Sequence, residues 1–132
     1  MSHIKKAIQE CYAAYYILAN FGFPQSGISV DVATVANGNP PGLYAVVKLK
    51  YNGIEFNMNL VELDENEADI FDKEWTTFVN NKHLMSEEEL DRLVQASEVW
   101  SRKITLLTAL HAKGLDATNR VRTVECLDGS LN

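Results

Sequence analysis

The dipeptide Asn52-Gly53 constrains this chain more than any other feature, because it separates two runs of alternating apolar and polar residues, 43–51 and 54–63. Both residues tolerate positive φ, so Asn-Gly between alternating runs specifies a two-residue type I′ hairpin. A two-residue loop also fixes the register. It sets Tyr51 opposite Ile54, Leu49 opposite Phe56, Val47 opposite Met58 and Ala45 opposite Leu60, so that one face is wholly apolar. The other face pairs Lys50 with Glu55 and Lys48 with Asn57, as contact with water requires. A slip of one residue would destroy this agreement. Burying each large apolar residue of the hairpin is worth about 1.5–3 kcal/mol before entropy is subtracted. Such a face needs a helical lid.

The segments around the hairpin supply that lid. Residues 2–20 carry Ile4, Ile8, Cys11, Tyr15 and Leu18 at helical steps of three and four, with Ala7, Ala14 and Phe21 as a second stripe. From Ala13 onward this helix is apolar nearly all round, the pattern of burial on more than one side. Ser2 stands at the position of a cap, and Gly22 and Pro24 supply the stop. Residues 28–36 alternate as a strand, and the Asn37-Gly-Asn-Pro-Pro-Gly42 composition predicts a loop. Together with the hairpin this gives a three-stranded antiparallel meander.

Residues 64–81 predict a second helix with acidic residues in its first turn, where the helix dipole favours them, and Ala68, Phe71, Trp75 and Phe78 along one face. A break follows at 80–83. Residues 86–113 then predict one long third helix, with a Ser86/Glu89 capping box and Gly114 as the stop. Its stripe is Leu90, Leu93, Ser97, Trp100, Ile104, Leu107 and His111, with Val99, Leu106 and Leu110 as a second apolar edge. A helix of that length would span about 40 Å, more than a domain of this size needs. The excess predicts a partner for it, most simply a second copy of the chain. The expected class is therefore α+β: an N-terminal helix, a three-stranded antiparallel meander and two C-terminal helices, the last one long. Residues 1–115 form a single domain, and 116–132 a tail in which 120–127 is a possible edge strand.

At 132 residues and 46% hydrophobic content the chain can bury one core without staples. Its net charge of −6 leaves few clustered Lys and Arg, which disfavours direct binding to nucleic acid or to an anionic membrane. A basic protein surface is the more natural partner. Cys11 and Cys126 are too few and too far apart for a disulfide framework, and Cys11 reads as a small buried hydrophobe. No signal peptide or run of about 18 apolar residues is visible, so a reducing cytoplasm is the expected compartment.

No motif for catalysis stands out. GxSxG, P-loop and GxGxxG patterns are missing, and His3, His83 and His111 are isolated in sequence. Asp64-Glu-Asn66-Glu-Ala68-Asp69 superficially suggests a calcium loop, but Ala68, Asp69 and Trp75 stand where a ligand, a glycine and a glutamate are required. No metal or cofactor is expected. The order helix, meander, helix resembles double-stranded-RNA-binding domains in topology only. That resemblance implies phosphate-binding lysines at the start of the second helix, and here Asp64, Glu65 and Glu67 occupy the place and oppose RNA. The opening is also similar to that of small acidic dimeric secretion chaperones, which continue with two further strands where this chain continues with helices.

Two functional expectations remain. The first is a non-enzymatic interaction module (an inhibitor, adaptor or accessory factor). It would present an acidic helical surface, with Glu65, Asp69, Asp72, Glu74, Glu88 and Asp91, to another protein, and act as a homodimer. The second is a small-molecule module whose ligand lies among aromatics between sheet and helices, with Tyr16, Trp75 and Trp100 as its walls and Arg102 or Arg120 as an anion partner.

Overall fold

The computed structural model describes residues 2–116 of the chain. The expected strand at 120–127, with Arg120 and Cys126, lies outside the described residues. The elements are α1 (Ser2–Asn20), β1 (Ile28–Val35), β2 (Gly42–Tyr51), β3 (Ile54–Leu63), α2 (Glu65–Asn81), α3 (Glu87–Gln95), α4 (Glu98–Ser101) and α5 (Lys103–Ala112), with short 3-10 turns at Gln25–Gly27 and Lys82–Leu84. This is the expected α+β class. Among the described residues no helix is long and apolar enough to cross a membrane.

The hairpin forms around Asn52 at φ 52° and Gly53 at φ 77°, and strands β1-β2-β3 lie in that order, all antiparallel. Tyr51 pairs with Ile54, Leu49 with Phe56 and Val47 with Met58, and Lys50 bridges to Glu55 at 3.5 Å on the outer face. The pairing then departs from strict alternation. Ala45 pairs with Val61, not with Leu60, because a β-bulge intervenes between Ala45 and Val46. The cause is chemical. Continued without a bulge, the register would set Leu43 against Glu62 on the core face. The extra residue rotates Val61 and Leu63 inward and pairs Glu62 with Tyr44 on the other side. Deleting Leu60 restores strict alternation with the same inward residues. That deletion should leave a folded protein by circular dichroism, whereas deleting Asn57 turns Met58 out of the core and Asn59 into it opposite Val47, and should cost far more stability.

The far end of the outer face is also closed. Tyr44 and Val46 are buried there, and the Tyr44 hydroxyl donates to the Pro40 carbonyl, so the 36–41 loop folds back over that end of the strand. Gly27 is required by close approach: a Cβ there would stand 2.5 Å from the Lys50 carbonyl oxygen of β2.

The apolar face of the sheet is covered by α1. Ala7, Cys11, Ala14 and Leu18 meet Ala45, Val47, Leu49, Met58 and Val61, with Phe71 of α2 and Leu110 of α5 completing the core. Small residues on α1 let the layers approach closely. Its opposite side, Tyr12 and Ala13, packs on Phe78 of α2, on Leu90 and Val94 of α3 and on Trp100 of α4. α1 is thus buried on two sides. It ends as its glycine implies, with Gly22 N–H donating to Ala19 O at 3.1 Å and Phe23 N–H to Leu18 O at 3.1 Å. α5 ends in the same way, through Gly114 to His111 and Leu115 to Leu110, both at 2.9 Å.

The long third helix does not form. Residues 86–113 divide into α3, α4 and α5, with breaks at Ala96-Ser97 and at Arg102, where φ is −109° and ψ 23°. α5 spans only about 15 Å, so the argument from excess length to a second copy of the chain loses its premise.

Cys11 is fully buried, and burial, with Glu10 beside it, pushes its thiol up to about 12. It is therefore neutral and inert in the fold. Tyr12 and Tyr16 are also pushed up, by burial first, and for Tyr16 by its bond to Asp91 as well. In each case the unfolded chain loses its proton at a lower pH than the folded chain. Stability is therefore whole below about pH 9 and falls as pH rises from there toward 12. Urea titrations at pH 8 and 10.5 should show this fall, and Cys11→Ala should flatten it.

Candidate functional site

Two surfaces gather polar chemistry: the exposed side of α2 and α3, and a cleft between β3 and the α4–α5 junction.

α2 starts at Asp64, whose side chain accepts from Glu67 N–H at 2.8 Å while the Glu67 carboxylate accepts from Asp64 N–H at 2.9 Å. The other Glu67 oxygen meets His3 Nδ1 at 3.1 Å and ties α2 to the start of α1. From there Glu65, Asp69, Asp72, Thr76 and Val79 recur at steps of four and three, which is one stripe of a helix. Glu74 is not on it. Two residues beyond Asp72 it lies about 200° around the axis, on a second edge with Ile70 and Thr77. The six expected carboxylates are thus not one patch. Glu65, Asp69 and Asp72 share an edge and Glu74 has another. Glu88 and Asp91 sit on α3, whose first turn carries the Ser86/Glu89 capping box. That box holds the Glu89 carboxyl below its usual range. α2 and α3 meet through Phe78, Leu90 and Val94 around Tyr12.

Eleven of the chain's eighteen acidic residues fall between positions 62 and 91, against Lys73 and Lys82 as the only Lys or Arg there. Glu65, Asp69, Asp72, Glu74 and Glu88 are all exposed, and none has an ion pair among the described residues. Asp91 is engaged, accepting from the Tyr16 hydroxyl at 3.1 Å. The same segment holds three of the four large apolar residues left exposed among those described: Ile70, Val79 and Leu84, the last 74% exposed.

The aromatic ligand set is not brought together. Trp75 lines a cavity of about 170 Å³ with Tyr12, Tyr15 and Val30, while Tyr16 borders a different one with Glu87 and Asp91. Trp100 is packed beside Val94, with Lys103 Nζ 3.5 Å from its ring centroid. The rings mainly pack on one another: Tyr12 on Phe78 at 5.2 Å and Trp75 on Phe78 at 5.7 Å between centroids.

Arg102 lies elsewhere, at a cleft of about 230 Å³ whose wall on β3 is Met58, Asn59 and Leu60 and whose other wall comes from α4 and α5. Glu10 of α1 also lines it. Glu10 is only 4% exposed, and its two oxygens accept from the backbone N–H groups of Glu98 and Val99, both at 2.9 Å. Gln9 donates to the Leu93 carbonyl at 2.9 Å, and Lys6 reaches Glu98 at 3.1 Å. Ser97 completes the join, donating to Val94 O at 2.6 Å and accepting from Trp100 N–H at 3.0 Å. One strip of α1 therefore fixes the break between α3 and α4. The sequence reading passed over Glu10, although a signal was there: a carboxylate between Ala7 and Ala14 on an otherwise apolar stripe.

Set against protein-family models, curated proteins and solved structures, the chain matches none of them.

Proposed function

We propose that the chain is a non-enzymatic interaction protein that docks a basic protein partner on the outer side of α2 and α3, in the cytoplasm. The observation that carries this reading is the coincidence, on residues 65–84, of exposed apolar side chains and exposed carboxylates that have no ion pair among the described residues. Carboxylates steer a basic partner and set its orientation, while apolar residues such as Val79 and Leu84 supply area that is dehydrated on contact. Homodimerisation is a separate proposal and rests on less, since α5 offers one exposed large apolar residue, Ile104 at 71%.

The test begins with a partner isolated from the native cell and light scattering on the complex. Affinity should fall steeply between low and high salt. The pair Asp69→Lys with Asp72→Lys, on one stripe, should lower it about tenfold or more, and Glu74→Lys, on the other edge, distinctly less. Affinity unchanged by the double reversal removes this reading.

A further inference from the structure

The two places where regular structure gives way, the bulge at Leu60 and the broken helix at 96–102, face the same cleft. This cleft also has a differentiated lining. Its apolar walls are Met58, Leu60, Val99 and Leu106, and Glu10 lies among them. Each Glu10 oxygen accepts one backbone N–H, and a carboxylate has about four acceptor positions, so capacity for further donors remains. At the α4–α5 junction stands Arg102, exposed, with no hydrogen bond or ion pair from its guanidinium among the described residues. The Glu98 carboxylate at the same cleft is already met by Lys6.

We infer that this cleft binds a small zwitterion with an apolar body, of the chemical class of an apolar α-amino acid. The ammonium group is directed to Glu10, the carboxylate to Arg102 and the side chain to the wall formed by Met58, Leu60, Val99 and Leu106. A buried anion and an unpaired cation at one apolar cleft are complementary to the two ends of such a molecule, and a volume of about 230 Å³ suits a small one. The site uses none of the carboxylates of the proposed docking surface, so either reading stands without the other.

The experiment is isothermal titration calorimetry of the full chain with leucine, methionine and phenylalanine, each beside its analogue lacking the carboxylate and its analogue lacking the amine. At least one amino acid should bind saturably, with both of its analogues about tenfold weaker or more. Arg102→Gln should leave the melting temperature unchanged, since that side chain has no hydrogen-bond or ion-pair partner to lose among the described residues. It should weaken the amino acid about tenfold and abolish the preference over the analogue lacking the carboxylate. Glu10→Gln tests the amine end, and because it also touches the fold, Arg102→Gln carries the decision. The inference is overturned if no amino acid saturates by about 10 mM, a range in which millimolar sites register. It is equally overturned if the analogues bind as well as the parent, or if Arg102→Gln changes nothing.

Discussion

Replacing Glu10 with alanine is expected to lower stability by about 3 kcal/mol, the cost of leaving two backbone N–H groups without acceptors in a part-buried setting. For a domain of this size that corresponds to a melting temperature lower by about 12 °C. The interaction is charge-assisted and spans 88 residues in sequence, so no neighbour on α1 can replace it. Glu10→Gln keeps the shape but offers one accepting oxygen where two are used. It should fall between wild type and alanine, at about half the loss. Thermal unfolding followed by circular dichroism checks both, and an alanine variant within about 3 °C of wild type would mean that Glu10 does not hold the α3–α4 join.

Phe71→Ala is expected to cost about 4 kcal/mol, within the range of core phenylalanine truncations, because the ring is 0% exposed. Phe71 connects α2 to the layer between α1 and the sheet and stacks on Trp75 with centroids 6.2 Å apart. Its loss should therefore loosen α2 first. Hydrogen exchange should rise along 65–81 more than along β2, and Phe71→Leu should recover most of the loss, since a branched aliphatic chain refills much of the volume. A melting temperature for Phe71→Ala near that of wild type would contradict the placement of this ring in the core.

Local signals in the sequence carried far. The type I′ turn, the pairs Tyr51–Ile54, Leu49–Phe56 and Val47–Met58 beside it, the two-sided burial of α1, the acidic start of α2 and the capped start of α3 follow from residues adjacent in sequence or one turn apart. The bulge was also written there, in the consecutive apolar pair Leu60-Val61 and in the charge at Glu62, which strict alternation would have turned inward. The break at Ser97 was not legible in the same way. Ser97 continues the helical stripe from Leu93 to Trp100, yet its hydroxyl caps α4, and the Glu10 carboxylate that holds the join from α1 is brought there only by folding. The acidic residues do not share one surface, because Glu74 lies about 200° around α2 from Asp72, an angle that spacing in sequence gives only when the helix period is applied. The aromatic residues Tyr16, Trp75 and Trp100 are not gathered at one cavity, because rings numerous enough to suggest a pocket mainly pack on one another. Arg102 lines a separate cleft, the one between β3 and the α4–α5 junction.

The division of residues 86–113 into three helices, joined to α1 through Glu10, is tested most directly by backbone NMR of the labelled chain. Cα secondary shifts should show helix over 87–95 and 103–112 with non-helical values at Ser97 and Arg102, and the amide protons of Glu98 and Val99 should be slow to exchange and become fast in Glu10→Ala. One unbroken run of helical shifts from 87 to 112, with those two amides indifferent to the substitution, would contradict it.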